Sequence, residues 1–166
     1  MIYRIKQFVK ALNAKMLEED KQYVKAYLNE KEQALFFQLK VYEQAHCLDV
    51  ARQMARDVSI KDCHDEEQKQ LIRIGLLHDI GKIKYPLNPI EKSIIVVLDK
   101  VTKGKTKNFT QLKMVKCYYE HAELGYILLK ETGNYDEFFL EIIKNHHMKN
   151  PQDMRASLLK KCDDRA

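Results

Sequence analysis

An all-α fold, a compact single-domain bundle of roughly seven to nine helices, is the architecture this sequence predicts. Three observations carry that expectation. Gly occurs 5 times and Pro 3 times in 166 residues, too few breakers for a loop-rich chain. The strong helix formers Leu, Lys, Glu, Gln and Ala are plentiful. Apolar residues recur three and four apart rather than two apart, which is the period of a helix face.

Taken in order, Ile2, Ile5, Phe8, Val9 and Leu12 form the apolar stripe of a first helix. A second covers Glu18 to Leu28. Asn29 followed by Glu32 has the spacing of a capping box, which starts a short helix through Ala34, Leu35 and Phe36 to Leu39. The next runs from Val41 to Val58. Asp62 to Glu67 is an acidic connector, and Gln68 to His78 is helical with Gly81 placed to terminate it. Pro86 and Pro89 flank a turn, and Pro89 opens the helix that carries Ile94 to Leu98. Val101 to Thr110 reads as a flexible loop. Helices follow over Gln111 to Glu131 and Tyr135 to His147, with Asn134 and Glu137 as a second cap-like pair, and a last helix begins near Asp153. No repeat or linker interrupts the chain, so residues 1–166 read as one domain.

The formal net charge of +5 suits an anionic substrate without demanding one. Cys47, Cys63, Cys117 and Cys162 show no CxxC spacing and read as free thiols of a cytoplasmic protein. The N-terminus mixes charge with apolar residues and has no signal-peptide core. The aliphatic run Ile94 to Leu98 is far short of the about 20 residues that span a bilayer, so no membrane is expected. The lysines between Lys100 and Lys107 have only Phe109 as an aromatic neighbour and read as a solvated loop, so nucleic acid is not expected either.

The chemistry concentrates in Leu76-Leu77-His78-Asp79-Ile80-Gly81-Lys82. Burying a carboxylate costs several kcal/mol unless a cation or several donors compensate it. Neutral imidazole and carboxylate are the donor set that suits zinc, iron or manganese. His46, His121, His146, His147 and Asp163 bring the candidate ligands to seven, a surplus for a single ion that points to two, with the two oxygens of Asp79 able to bridge them. His64, among Asp62, Asp65 and Glu66, reads instead as part of an exposed helix N-terminus, where acids complement the dipole.

The order His46, then His78-Asp79, then Glu120-His121 with Gly125, then His146-His147, then Asp163 resembles the HD-domain superfamily of metal-dependent phosphohydrolases. Leu77-His78-Asp79-Ile80-Gly81-Lys82 is similar to the motif of its HDIG branch, and Leu158-Leu159-Lys160-Lys161-Cys162-Asp163 to the segment carrying the family's last aspartate. The resemblance implies a helical HD core over residues 41–166 behind an N-terminal helical extension, residues 1–40. It implies that His46, His78, Asp79 and Asp163 hold a first metal, and that His121 with one of His146 and His147 adds a second, bridged by Asp79. Iron or manganese is favoured, with zinc, nickel or magnesium also compatible. Lys82, three residues after Asp79, is implied to contact a substrate phosphate, and a metal-bound hydroxide to be the attacking group.

The activity so implied is hydrolysis of a phosphomonoester or phosphodiester in a small nucleotide-like substrate. Two alternatives stand beside it: a di-iron oxygenase of the same fold, and a non-catalytic nucleotide-sensing HD domain. Met148-Lys149-Asn150-Pro151-Gln152-Asp153 replaces the Asp-Gly-x-Gly-Tyr-Pro stretch of members that cleave cyclic dinucleotides. Such trimetal members also carry a Glu one turn ahead of the first histidine. Here Tyr42 holds that position and Glu43 is read as off register, so neither cyclic di-GMP nor a third metal is implied.

Overall fold

The computed structural model describes residues 12–57, 63–109 and 111–166. The helix expected from Ile2 onward lies outside these residues, Leu12 excepted. Eight α-helices and no strand occur among the described residues: α1 (Glu18–Tyr27), α2 (Glu30–Phe36), α3 (Val41–Arg56), α4 (Asp65–Leu77), α5 (Pro89–Val101), α6 (Lys113–Thr132), α7 (Glu137–Asn145) and α8 (Met154–Asp163). Two 3₁₀ turns, Ile80–Ile83 and Lys105–Asn108, complete the order.

Side chains cap four of the eight helix starts. Asn29 accepts from the backbone N–H of Glu32 at 3.0 Å, and Glu32 accepts from that of Asn29 at 2.8 Å, the reciprocal box expected from the sequence. Asn88 and Glu91 form the same box around Pro89 at the start of α5. Asp153 caps α8 through the N–H groups of Arg155 and Ala156. The expected cap at Asn134 moves to Asp136, which accepts from the N–H of Phe139 at 2.7 Å. Helix α4 starts at Asp65, not Gln68, because His64 is its N-cap residue and Asp65, Glu66 and Glu67 fill its first turn.

Helices α3 and α4 pack along each other, α6 lies against α7 and the Ile80–Ile83 turn, and α8 closes on α3. Phe36, Met54, Leu77, Ile80, Phe139, Ile143 and Leu159 are fully buried in the core these elements share. Gly81 does not end α4 by adopting a left-handed conformation, since Gly104 is the glycine with positive φ among the described residues. Its role is steric. A Cβ at Gly81 would lie 1.9 Å from the carbonyl oxygen of His121 and 2.5 Å from the backbone nitrogen of Gly125. The missing side chain therefore lets the turn rest on the backbone of α6. The segment expected as a loop over Val101 to Thr110 is, in its described part up to Phe109, not a free loop. Thr106 is buried, and its hydroxyl donates to Asp99 at 2.6 Å, while the Tyr119 hydroxyl bonds the same carboxylate.

Candidate metal centre

Helix α4 ends at Leu77 and the chain passes at once into the Ile80–Ile83 turn, which leaves His78 and Asp79 at the junction. Both are buried, at 0% and 2% exposure. His46 comes from the middle of α3, His121 from α6 and Asp163 from the last turn of α8. Because α7 stops at Asn145, His146 and His147 lie beyond it. Their ring centroids are 3.9 Å apart.

Three rings are oriented from behind. The Nδ1–H groups of His78, His121 and His146 donate to the carbonyls of Gly75, Cys117 and Ile143 at 2.9, 2.6 and 2.6 Å. Each bond fixes the tautomer that leaves Nε2 as a lone-pair donor facing inward. His78 Nε2 and His146 Nε2 are buried without a hydrogen-bond partner. An orphaned buried nitrogen is costly, and two beside one carboxylate call for a common cause.

Asp79 supplies it. Oδ2 lies 3.4 Å from His78 Nε2 and 3.7 Å from His46 Nε2, whereas Oδ1 lies 3.3 Å from His121 Nε2 and 3.6 Å from His146 Nε2. Asp163 Oδ1 stands 3.0 Å from His46 Nε2 and 3.7 Å from His78 Nε2. His147 Nε2 is 2.7 Å from His121 Nε2. The donors thus form two groups that share Asp79, one with His46 and His78 and one with His121, His146 and His147. Ligands about 2.1 Å from one tetrahedral ion stand about 3.4 Å apart, and the four contacts of Asp79, at 3.3 to 3.7 Å, lie close to that spacing.

A neutral His46 or His147 can donate from Nε2 to Asp163 or His121. Nε2 of His78, His121 and His146, however, is an acceptor facing the Asp79 carboxylate, and such pairs need a cation between them, either a proton or a metal. Burial holds His46 and His121 below the usual imidazole pKa, against the pull of Asp163 and Asp79, and drives His147 down to about 2. Protonating these three rings would therefore oppose the burial that surrounds them. His78 is the exception. Burial lowers it too, but Asp79 and Asp163 together raise it above its ordinary value. The donor set fits a divalent metal better than a cluster of imidazolium ions.

A family model described as HD domain matches residues 44–166. The chain belongs to the HD-domain family. The family points to a superfamily of metal-dependent hydrolases, and the seven histidines and aspartates that the resemblance implied as ligands all converge here. No curated protein and no solved structure gives a significant match.

In this HD domain Lys82 is neither solvated nor turned outward. Its ammonium pairs with Asp79 Oδ2 and lies 3.2 Å from Glu43 Oε2, with 11% of the side chain exposed. Burial disfavours its charge, but Asp79 and Glu43 outweigh that and hold its pKa well above the ordinary value. Glu43 is buried as well and binds a second cation, Lys92 of α5, at 3.1 Å. Sequence reasoning passed over both partners. Glu43 was set aside as off register, yet it precedes His46 by three residues, and i, i+3 places the two on one face of α3. Lys92 gave no local signal, since it meets Glu43 from 49 residues away. His64 is exposed at the start of α4, apart from the cluster.

Proposed function

We propose that the protein is a phosphohydrolase that holds two divalent transition metals on either side of Asp79 and hydrolyses a phosphomonoester or phosphodiester of a nucleotide-like molecule. The observation that carries this reading is the division of labour at Asp79, whose two oxygens face different histidine groups. His46, His78 and Asp163 would hold one ion, and His121, His146 and His147 the other. Divalent ions held by these residues would supply an activated water and polarise a phosphoryl group for attack.

The chain's own residues orient and balance that centre. The carbonyls of Gly75, Cys117 and Ile143 keep three imidazoles in the ligating tautomer. Lys82 offsets the buried charge of Asp79 and presents an ammonium beside it, where a phosphoryl oxygen would seat. Lys92, 40% exposed, offers a second cation nearer to solvent. The neighbouring thiols are not nucleophiles. Burial pushes Cys47 well above its ordinary pKa and Cys117 up to about 11, so both stay protonated at neutral pH.

Elemental analysis of protein purified without chelator tests the reading, followed by a screen of nucleotide phosphoesters with and without oxygen. Two metals per chain are expected, lost together in Asp79→Ala, with activity reduced by more than about 100-fold. Turnover should be unchanged under anaerobic conditions. One metal or none after reconstitution would overturn the dinuclear centre, and turnover that requires oxygen would replace hydrolysis with the oxygenase reading.

A further inference from the structure

Helix α5 buries little of its apolar surface. Ile95 is its buried residue, whereas Ile90, Ile94, Val97, Leu98 and Val101 are 57%, 44%, 59%, 42% and 73% exposed. Their spacing of four, three, one and three places them in a single stripe along the helix. Lys92 and Ile95 occupy the other side, where Lys92 reaches Glu43 and Ile95 packs with Leu87, Val115 and Cys117. Phe109 and Leu112, which follow in the connection to α6, are 60% and 51% exposed. Five exposed aliphatic side chains on one helix face form a contiguous apolar patch of the kind that marks an interaction site.

The charge of the molecule gathers in the same stretch. Between Ser93 and Tyr119 stand Lys100, Lys103, Lys105, Lys107, Lys113 and Lys116 against Asp99 alone. The stretch carries a net +5, which is the whole formal charge of the chain, so the other residues balance to zero. Asp99 is occupied by the hydroxyls of Thr106 and Tyr119. Lys103, Lys105, Lys107 and Lys113 are exposed.

We infer that this face is a peripheral docking surface for an anionic lipid bilayer. Aliphatic side chains on one side of a helix, with lysines clustered at its end and in the turn beyond, are the composition of an interfacial helix. Clustered lysines near an anionic leaflet add attraction for each cation. Nucleic acid would use the lysines but leave the aliphatic stripe in water. Protein interfaces favour Arg and are poor in Lys, whereas this stretch has six lysines and no arginine. No described helix is long and apolar enough to cross a membrane, and that lack was the ground for expecting no membrane partner. A helix lying in the headgroup layer needs no spanning length. In this orientation the metal centre sits behind α5, with Lys92 reaching from the helix toward it.

Co-sedimentation of the full chain with vesicles tests the proposal, using phosphatidylcholine alone and phosphatidylcholine mixed with phosphatidylglycerol. Binding to the anionic vesicles and not to the neutral ones is expected, weakening as salt rises. The pair Val97→Asp and Val101→Asp should abolish binding while metal content stays that of the native chain, because both side chains are exposed. Replacing Lys103, Lys105 and Lys107 by Gln should weaken binding on the order of 100-fold. The proposal is overturned if the native chain stays in the supernatant with both vesicles, or if the aspartate pair binds as the native chain does. It is also overturned if light scattering shows a native dimer that the aspartate pair converts to monomer, since a second copy would then cover the stripe.

Discussion

Glu43 governs the charge balance beside the metal centre. Burial opposes its ionisation, but the ammonium groups of Lys82 and Lys92 more than compensate and hold its pKa near 2 against an ordinary 4.5. A folded-state pKa below the unfolded one stabilises the fold once the pH is above the unfolded value, and that contribution is lost as pH falls through the folded value. Glu43 should therefore stabilise the protein fully above pH 4.5 and progressively less toward pH 2. Glu43→Gln removes the charge and keeps the shape. Breaking a buried ion pair costs about 3–5 kcal/mol, and the cost here should fall at or below the lower end because Lys82 keeps Asp79 as a partner. Thermal melts of the native chain and the variant across this range should show the widest gap near neutrality and a closing gap in acid. A gap of constant width would mean that Glu43 is not the ionised anchor of the two lysines.

At the scale of elements, the 3₁₀ turn after α4 decides whether Asp79 can face two histidine groups at once. The turn lies on α6 because neither Gly81 nor Gly125 has a side chain, and the contact brings Asp79 within 3.3 Å of His121. Gly81→Ala would force a Cβ to within 1.9 Å of a backbone oxygen that has no rotamer with which to yield. Overpacking of ordinary cores costs about 1–3 kcal/mol, and a backbone clash of this kind should lie at or beyond the upper end. Metal titration should show the larger affinity loss at the group containing His121, His146 and His147, since His46, His78 and Asp163 do not depend on that contact. Equal loss at both groups would contradict this account.

The same elements show what the sequence could reveal. The candidate ligands stand out in the sequence through the order and motifs that resemble the HD family, and the helix starts at Asn29, Pro89 and Asp153 because the residues that set them act within three positions. The cap at Asp136 was missed because Asn134 and Asp136 both offer a suitable side chain, and only packing chooses between them. Gly81 was read as a helix stop because a glycine after a helix suggests a left-handed turn, while its contact with α6 joins residues 40 apart in sequence. The Glu43–Lys82–Lys92 network and the outward face of α5 arise from the same kind of long-range placement, which periodicity cannot register.

For the molecule as a whole, the centre would act as a staple once it holds metal. Its candidate ligands come from α3, the junction after α4, α6, the segment after α7 and α8, so metals bound there would tie together elements spread from His46 to Asp163. The unfolded chain cannot present these side chains together, so binding free energy becomes folding free energy. A ligand present at 100 to 1,000 times its dissociation constant stabilises the fold by about 2.7–4.1 kcal/mol. At about 2–4 °C per kcal/mol for a chain of this size, chelation should lower the melting temperature by roughly 5–16 °C. Metal return should restore it. Asp79→Ala should melt at a temperature that chelator does not change, whereas His64→Ala, altered on an exposed helix start, should respond to chelator as the native chain does. A native melting temperature indifferent to both chelator and added metal would show that the histidine groups bind no ion in the folded state, and the orphaned nitrogens of His78 and His146 would then need protons in its place.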